Sequence, residues 1–301
     1  MPDFFSMTFV LAVFYAVLAS QVYILSVHYP RKISARVAYM LDNFPPAEYP
    51  KLYPNFHAGY VETQHLKMRV YSVINYVIAL VGIGILAAMI SSDYRPAAKG
   101  GDEIFVMLYF FLQTIPLLYI SWKEHCQYRL MRLTFDDKKR VADLARRGLF
   151  DYVSPVYVAV ALMLYGGWLV FYLYQAGPIA VWEAKHYITF GTITGMNIFY
   201  SVTIFAFVSG KKIDPYKAPK DQQRHAESVI KVMVFSSIMI SIFLALTQAA
   251  DEYAFEIFDP VVTSFYMQLC VVFGLGLMMR ILDVEEINFD VYRESKELTA
   301  S

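Results

Sequence analysis

The stretch VYSVINYVIALVGIGILAAMI, from Val70 to Ile90, contains no charged side chain. A helix needs about 20 mostly apolar residues to cross the hydrocarbon core of a bilayer, so this run predicts a transmembrane helix. The whole chain is 57% hydrophobic and only 17% charged, against roughly a quarter charged in soluble domains. We therefore expect similar segments elsewhere in the sequence.

Seven such segments occur along the 301 residues. They are predicted at 4–27, 70–90, 104–122, 156–175, 187–209, 232–250 and 261–279. The expected fold class is an all-α polytopic membrane protein, with a seven-helix domain over 1–280 and a tail over 281–301. The N-terminal MPDFF has no basic residue, so we interpret the first segment as a retained helix and not as a cleaved signal peptide.

Lysine and arginine collect in alternate loops of this arrangement. The loops 28–69, 123–155 and 210–231 are rich in them, and the other three connections carry few or none. Because cytoplasmic loops carry the excess of Lys and Arg, the N-terminus is predicted outside and the C-terminus inside. The sequence has no N-x-S/T glycosylation site, which favours a bacterial inner membrane with a periplasmic N-terminus. We call the side with the basic loops the basic end.

Two segments predict a cytoplasmic layer at this end. NFPPAEYPKLYP, from Asn43 to Pro54, carries four prolines, which exclude a helix. It predicts an extended strap whose Phe44, Tyr49 and Tyr53 pack on the helix ends, with a Pro-rich adaptor ligand as the alternative. The pattern over 129–150 predicts an extension of the third span, followed by an interfacial helix or a surface that docks anionic lipid.

A weak internal similarity suggests a parallel 3+1+3 repeat, in which the fourth span links two triplets. Aligning Pro54 with Pro219 places acidic and hydroxyl residues in register before the second and sixth spans. The third span of each triplet also carries one glutamine, Gln113 or Gln268. Triplets that enter the membrane in the same direction would fit such a duplication.

The span interiors contain no Lys, Arg, Asp, Glu or His. This excludes a retinal Schiff base in the seventh span and facing haem ligands, and it argues against proton-coupled transport. The two cysteines, Cys126 and Cys270, form no metal or redox motif, and no hydrolase or phosphate-binding motif occurs. We therefore expect no catalytic residue, metal or cofactor. The zero net charge gives no support for nucleic-acid binding.

Neutral polar residues inside the spans are the remaining candidates. We expect a polar pathway for a solute, beside a kink in the third span; its members are Asn75, Gln113, Pro116, Asn197 and Gln268. The alternative is that these residues only form hydrogen bonds between helices.

Small residues in the fifth and sixth spans predict close helix packing. Gly191 and Gly195 form a G-x-x-x-G face, and Ser237 with Ser241 forms a pair of the same spacing.

Three functions fit this sequence. The first is a channel or carrier for a neutral or weakly charged solute, which predicts a water-filled cavity near Asn75, Gln113 and Gln268. The second is a non-catalytic subunit of a larger membrane assembly, with further copies or other membrane proteins as partners; it predicts a dry core and an aromatic lipid-facing surface. The third is a signal-transducing receptor whose basic loops face the cytoplasm.

Overall fold

The computed structural model describes residues 4–94, 103–134, 148–210, 214, 216–252 and 259–293. Within these ranges the regular structure is entirely helical. The longer helices are α1 Phe4–Tyr23, α2 Tyr29–Asn43, α3 Tyr60–Ser91, α4 Glu103–Thr134, α5 Pro155–Ala176, α6 Ala184–Val208, α7 Pro219–Glu252, α8 Asp259–Val271 and α9 Leu277–Ile281. Short π segments join α1 to α2 and α8 to α9, so each pair runs as one rod.

Seven of these helices or rods are long and apolar enough to cross a membrane. The predicted all-helical architecture with seven candidate spans is therefore confirmed. The predicted direction of insertion, the cytoplasmic location of the basic loops and the 3+1+3 repeat stay predictions.

The first rod is longer than the sequence predicts. The segment 28–69 was expected to be a loop, but α2 continues the rod as far as Asn43. The π segment Ile24–His28 lies just before Pro30, and the backbone N–H of Tyr29 donates to Ile24 O. A π bulge rearranges the hydrogen-bond ladder, which lets the rod accept Pro30 without ending.

Three other helices also extend well beyond their apolar spans at the basic end. Helix α3 begins at Tyr60, α4 ends at Thr134 and α7 begins at Pro219. These extensions are polar on much of their surface, so hydropathy identifies only the membrane-embedded part of each helix. The interfacial helix predicted after the third span falls largely on 135–147 and lies outside the described residues.

The helices pack in two groups. Helices α1, α3, α4 and α8 form the first group, and α5, α6 and α7 form the second. Helix α7 joins the groups through contacts with α8 and α9. The first and sixth spans are the most buried, with 39% of their apolar windows buried against 17–22% in the others. Each group is therefore built around one central span.

The outer surfaces of both groups are apolar. Val73, Val77 and Leu80 on α3 are 53–66% exposed, and α4, α5 and α6 carry similar residues. A soluble protein rarely exposes contiguous apolar surface on this scale. The surface is what a helix bundle presents to lipid.

Candidate functional site

Polar side chains from the first, third and seventh spans meet inside the first helix group. We call this set the polar network; its members are Ser20, Gln21, Ser26, Gln113, Ser264 and Gln268. The three glutamines are at most 5% exposed, and Ser26 and Ser264 are at most 1% exposed. These five side chains are therefore buried inside the helix group, and only Ser20, at the edge of the network, is partly exposed.

Gln21 is the centre of the polar network. Its Nε2 donates to Gln113 Oε1 at 3.0 Å, and its Oε1 accepts from Ser264 Oγ at 2.5 Å. Gln113 Nε2 in turn donates to Ser26 Oγ at 2.9 Å and to the Gln21 carbonyl at 3.3 Å. Gln21 thus links three helices. The oxygen and the nitrogen of the side-chain amide are hydrogen-bonded in both Gln21 and Gln113.

Gln268 closes the other side of the polar network. Its Nε2 donates to Val17 O, and its Oε1 accepts from Ser20 Oγ, both at 2.9 Å. An unpaired amide in a medium without water would cost several kcal/mol, so these bonds favour one arrangement of α1 against α8.

Asn75 lies near the polar network, but it bonds within its own helix. It is 2% exposed, and its Nδ2 donates to Tyr71 O at 2.8 Å. The cavity that Asn75 shares with Gln113 measures only about 10 Å³. A single water needs roughly that volume, so a solute does not fit. Pro116 is buried within α4, which stays helical through it.

Asn197, the remaining predicted pathway residue, belongs to the second helix group. Its Oδ1 accepts from Ser237 Oγ at 2.5 Å, and its Nδ2 donates to Ile193 O at 3.0 Å. Ser241 Oγ bonds the Ser237 carbonyl one turn earlier. These bonds join Asn197 to α6 and α7 and not to Gln113 or Gln268, so it takes no part in the polar network.

Within this chain, Gly191 and Gly195 do not lie at a close approach of two helices, and their packing role stays a prediction. A Cβ added at either glycine would meet no other atom within 4 Å, and both residues are exposed on α6. The close approach occurs instead at Gly82 on α3, where a Cβ would lie 2.1 Å from Tyr109 Oη and 2.8 Å from Val22 Cγ2. Spacing alone identified a small-residue face but could not show which way it points.

A second site lies at the basic end, where the predicted strap is packed. In the structure the connection from α2 to α3 runs over residues 44–59, and the name strap is used for that range from here on. Tyr49 and Tyr53 are 4% and 6% exposed, and Phe44 is partly buried against the same cluster. The predicted extended conformation is wrong, since the strap is a succession of turns that includes bonds from Glu48 N to Pro45 O and from Leu52 N to Tyr49 O. Prolines excluded the helix as expected, but they also favour turns.

The strap is covered by residues 282–293, which we call the C-terminal segment. The Phe289 ring lies 3.9 Å from the Phe44 ring, and Arg293 donates to Tyr49 Oη at 2.8 Å. Lys51 N donates to the Tyr292 carbonyl at 3.3 Å. Residues 282–293 thus form a packed segment within the predicted tail, 281–301. The signal that could have revealed the packing is the recurrence of Val284, Phe289 and Tyr292 among charged residues.

Two buried carboxylates bind the C-terminal segment: Asp214, which lies before α7, and Asp221, in the first turn of α7. Tyr292 Oη donates to Asp214 Oδ2, and Asn288 N donates to Asp221 Oδ2 at 2.9 Å. Asp214 and Asp221 are 8% and 2% exposed. Burial lowers the pKa of the Lys217 ammonium, while both carboxylates act to raise it. The basic end therefore contains a charged, hydrogen-bonded cluster that holds three distant parts of the chain together.

Among the described residues, no three His, Cys, Asp or Glu side chains are grouped as metal ligands. Comparison of the chain with protein-family models, curated proteins and solved structures gave no match in any of the three.

Proposed function

We propose that this protein is a non-catalytic subunit of a larger membrane protein assembly, in which it acts as a fixed seven-helix scaffold. The observation that carries the proposal is the closure of the polar network. Gln21, Gln113 and Ser264 bond one another across three helices, beside a cavity of about 10 Å³. Their polar groups stabilise helix packing and leave no room for a solute.

The channel or carrier hypothesis stays a prediction, without support from this geometry. A carrier whose solute passed through the polar network would break the hydrogen bonds of Gln21 and Gln113 in each cycle and rebuild them afterwards. Broken bonds in a medium without water are costly unless water or a polar solute replaces them. Flux of small neutral solutes into vesicles containing the protein would revive this hypothesis.

We further propose that the assembly lies in a bacterial inner membrane, with the N-terminus outside and the C-terminus inside. The segregation of Lys and Arg supports this direction. Arg31 Nε donates to Tyr76 Oη at 2.9 Å, and Lys123 lies over the exposed Trp122 ring at 5.0 Å. Such pairs of a cation and an aromatic ring suit the border between lipid and cytoplasm.

For the lateral contact we propose the Gly191 and Gly195 face of α6. The structure leaves this face open, although G-x-x-x-G faces allow two helix backbones to approach closely in membranes. We take the occupant to be α6 of a second copy. All copies enter the membrane in the same direction, and a two-fold axis along the membrane normal would pair this face with itself.

The test is extraction of the protein with its native lipids retained, followed by measurement of the particle mass. We expect at least two copies per particle, and single chains after the double substitution Gly191→Leu and Gly195→Leu. Gly84→Leu is the matched control, because a Cβ at Gly84 also meets open space, but on α3.

Two other outcomes are informative. A stoichiometric second protein in the particle would support the subunit proposal and would replace the second copy as the occupant of the α6 face. A single chain without any partner, at every protein concentration, would contradict the proposal.

A further inference from the structure

A cavity of about 300 Å³ lies at the basic end, between the first turn of α5 and helix α7. It is lined by residues 150–154, by Tyr157 on α5, and by Lys231 and Phe235 on α7. This volume is at the lower end of the range for small-molecule sites. The cavity contains none of the residues of the polar network or of the C-terminal segment.

Among the described residues that line this cavity, one is a cation, Lys231, and one is an anion, Asp151. Lys231 Nζ donates to Glu227 Oε1 at 2.5 Å, one turn earlier on α7, and about a third of each side chain remains exposed. The Asp151 carboxylate is exposed and accepts from Gly148 N at 2.7 Å. Each group can form a further bond, because an ammonium has three donors and a carboxylate has about four acceptor positions.

Aromatic rings complete the lining. The Tyr157 and Phe235 rings are 5.3 Å apart, and Phe235 stacks on Phe273 at 5.7 Å, which fixes its position. Phe150 is 61% exposed at the edge of the cavity. Ring faces attract ammonium groups, most strongly where water is partly excluded.

The position of the cavity along the helices suits a lipid headgroup. The apolar runs of the fourth and sixth spans begin at 156 and 232, so Lys231 and Asp151 lie at the level where the bilayer meets water. Val156 and Leu162, each 66% exposed, continue from this level along the outer face of α5. A molecule in the cavity could therefore lay an acyl chain on that face.

We infer that this cavity binds the headgroup of a zwitterionic phospholipid with an ammonium group. Lys231 contacts the phosphate, and Asp151 and the faces of Phe150 and Tyr157 contact the ammonium. Among the described residues that line or adjoin the cavity, the carboxylates of Asp151 and Glu227 outnumber the one lysine, Lys231, so an anionic lipid fits less well there. This inference does not depend on the proposed assembly.

The test uses the full chain, purified and stripped of lipid, with bound lipid counted by native mass spectrometry. We expect one phosphatidylethanolamine to bind more tightly than phosphatidylglycerol. Lys231→Met and Asp151→Asn should each weaken that binding about tenfold, the effect of losing one hydrogen bond to a charged group. Lys185→Met is the control, since Lys185 also pairs with a glutamate, Glu183, at the other end of the bundle.

Three results would overturn the inference. The first is equal or tighter binding of phosphatidylglycerol. The second is unchanged affinity in both cavity variants, when their melting temperatures without lipid show that they are folded. The third is binding of free phosphoethanolamine as tight as that of the lipid, which would make this a site for a soluble ligand.

Discussion

The polar network inside the bundle and the charged cluster at the basic end both join distant parts of the chain, but with different chemistry. Inside the bundle, neutral amides and hydroxyls such as Gln21 and Ser264 bond one another. At the basic end, ionisable groups such as Asp214 and Asp221 are buried beside aromatic rings. A charge at mid-membrane is costly, whereas a charge near water can be buried once it is hydrogen-bonded.

The two clusters should also contribute differently to the stability of the protein. The cluster at the basic end combines hydrogen bonds with apolar burial next to water, where the hydrophobic effect acts in full. The polar network is surrounded by helices and lipid tails, where apolar contact brings no such gain. We therefore expect substitutions at the basic end to cost more stability than those in the network.

Phe289→Ala should have the largest effect. Phe289 is 6% exposed and packs against the Phe44 ring, and removal of a buried phenylalanine ring typically costs about 3–5 kcal/mol. The measurement is the free energy of unfolding in detergent micelles. Phe56→Ala is the control, because Phe56 is 53% exposed on the same strap. Equal losses in the two variants would mean that the C-terminal segment does not hold the strap.

Gln113→Leu should cost less, about 1–2 kcal/mol. It removes the partner of Gln21 and of Ser26, and hydrogen bonds between membrane helices average about 0.6 kcal/mol each. The neighbouring Thr114→Val is the control, since Thr114 bonds only Phe111 O in its own helix. If Gln113→Leu destabilised the protein more than Phe289→Ala, the polar network, and not the cluster at the basic end, would contribute more to stability.

Tyr292→Phe should have the smallest effect at neutral pH, about 1 kcal/mol for one hydrogen bond. Its pH dependence is the sharper test. Burial, and then the Asp214 carboxylate, raise the pKa of Tyr292 above its ordinary value of 10.0. Because the pKa of Tyr292 is higher in the folded than in the unfolded state, its hydroxyl contributes fully to the free energy of unfolding below pH 10. That contribution is lost as the pH rises further, by about 1.4 kcal/mol per pH unit.

The phenylalanine variant lacks this titration and should therefore lose less stability than the wild type between pH 10 and 11. Melting temperatures across that range measure the difference. Tyr174→Phe serves as the control, since Tyr174 is 86% exposed. If the melting temperatures of the wild type and of Tyr292→Phe fell equally between pH 10 and 11, Tyr292 would not be held beside Asp214.

Hydropathy predicted the seven spans because each one is a long apolar run with no charge in its interior. It identified Gln113 and Gln268 because a polar residue is conspicuous in such a run. It could not show that they bond to Gln21 and Ser20, since these partners lie more than 90 and 240 residues away along the chain. Nor could it tell a path for solute from a closed network, because that difference depends on the distances between side chains.

The cluster at the basic end was predicted only in part. The prolines and aromatic residues of the strap indicated a packed, non-helical segment, and Tyr49 and Tyr53 are indeed buried. The covering segment around Phe289 and Tyr292 was not expected, because its apolar residues are few and lie among charges. Short segments of this kind acquire their structure from contacts with distant residues and not from local pattern.

The most direct test of the central claim is the reactivity of a thiol placed in the polar network. Ser26→Cys changes little volume at a position that is 1% exposed. Membranes containing this variant are treated with a small hydrophilic thiol reagent from both sides, and each cysteine is followed by peptide mass spectrometry. The native Cys126, which is exposed, reports that the reagent has reached the basic end. A closed network predicts that Cys126 reacts while position 26 stays unmodified until the protein is denatured. Modification of position 26 in the folded protein, at a rate close to that of Cys126, would reveal a water-filled path and contradict the scaffold proposal.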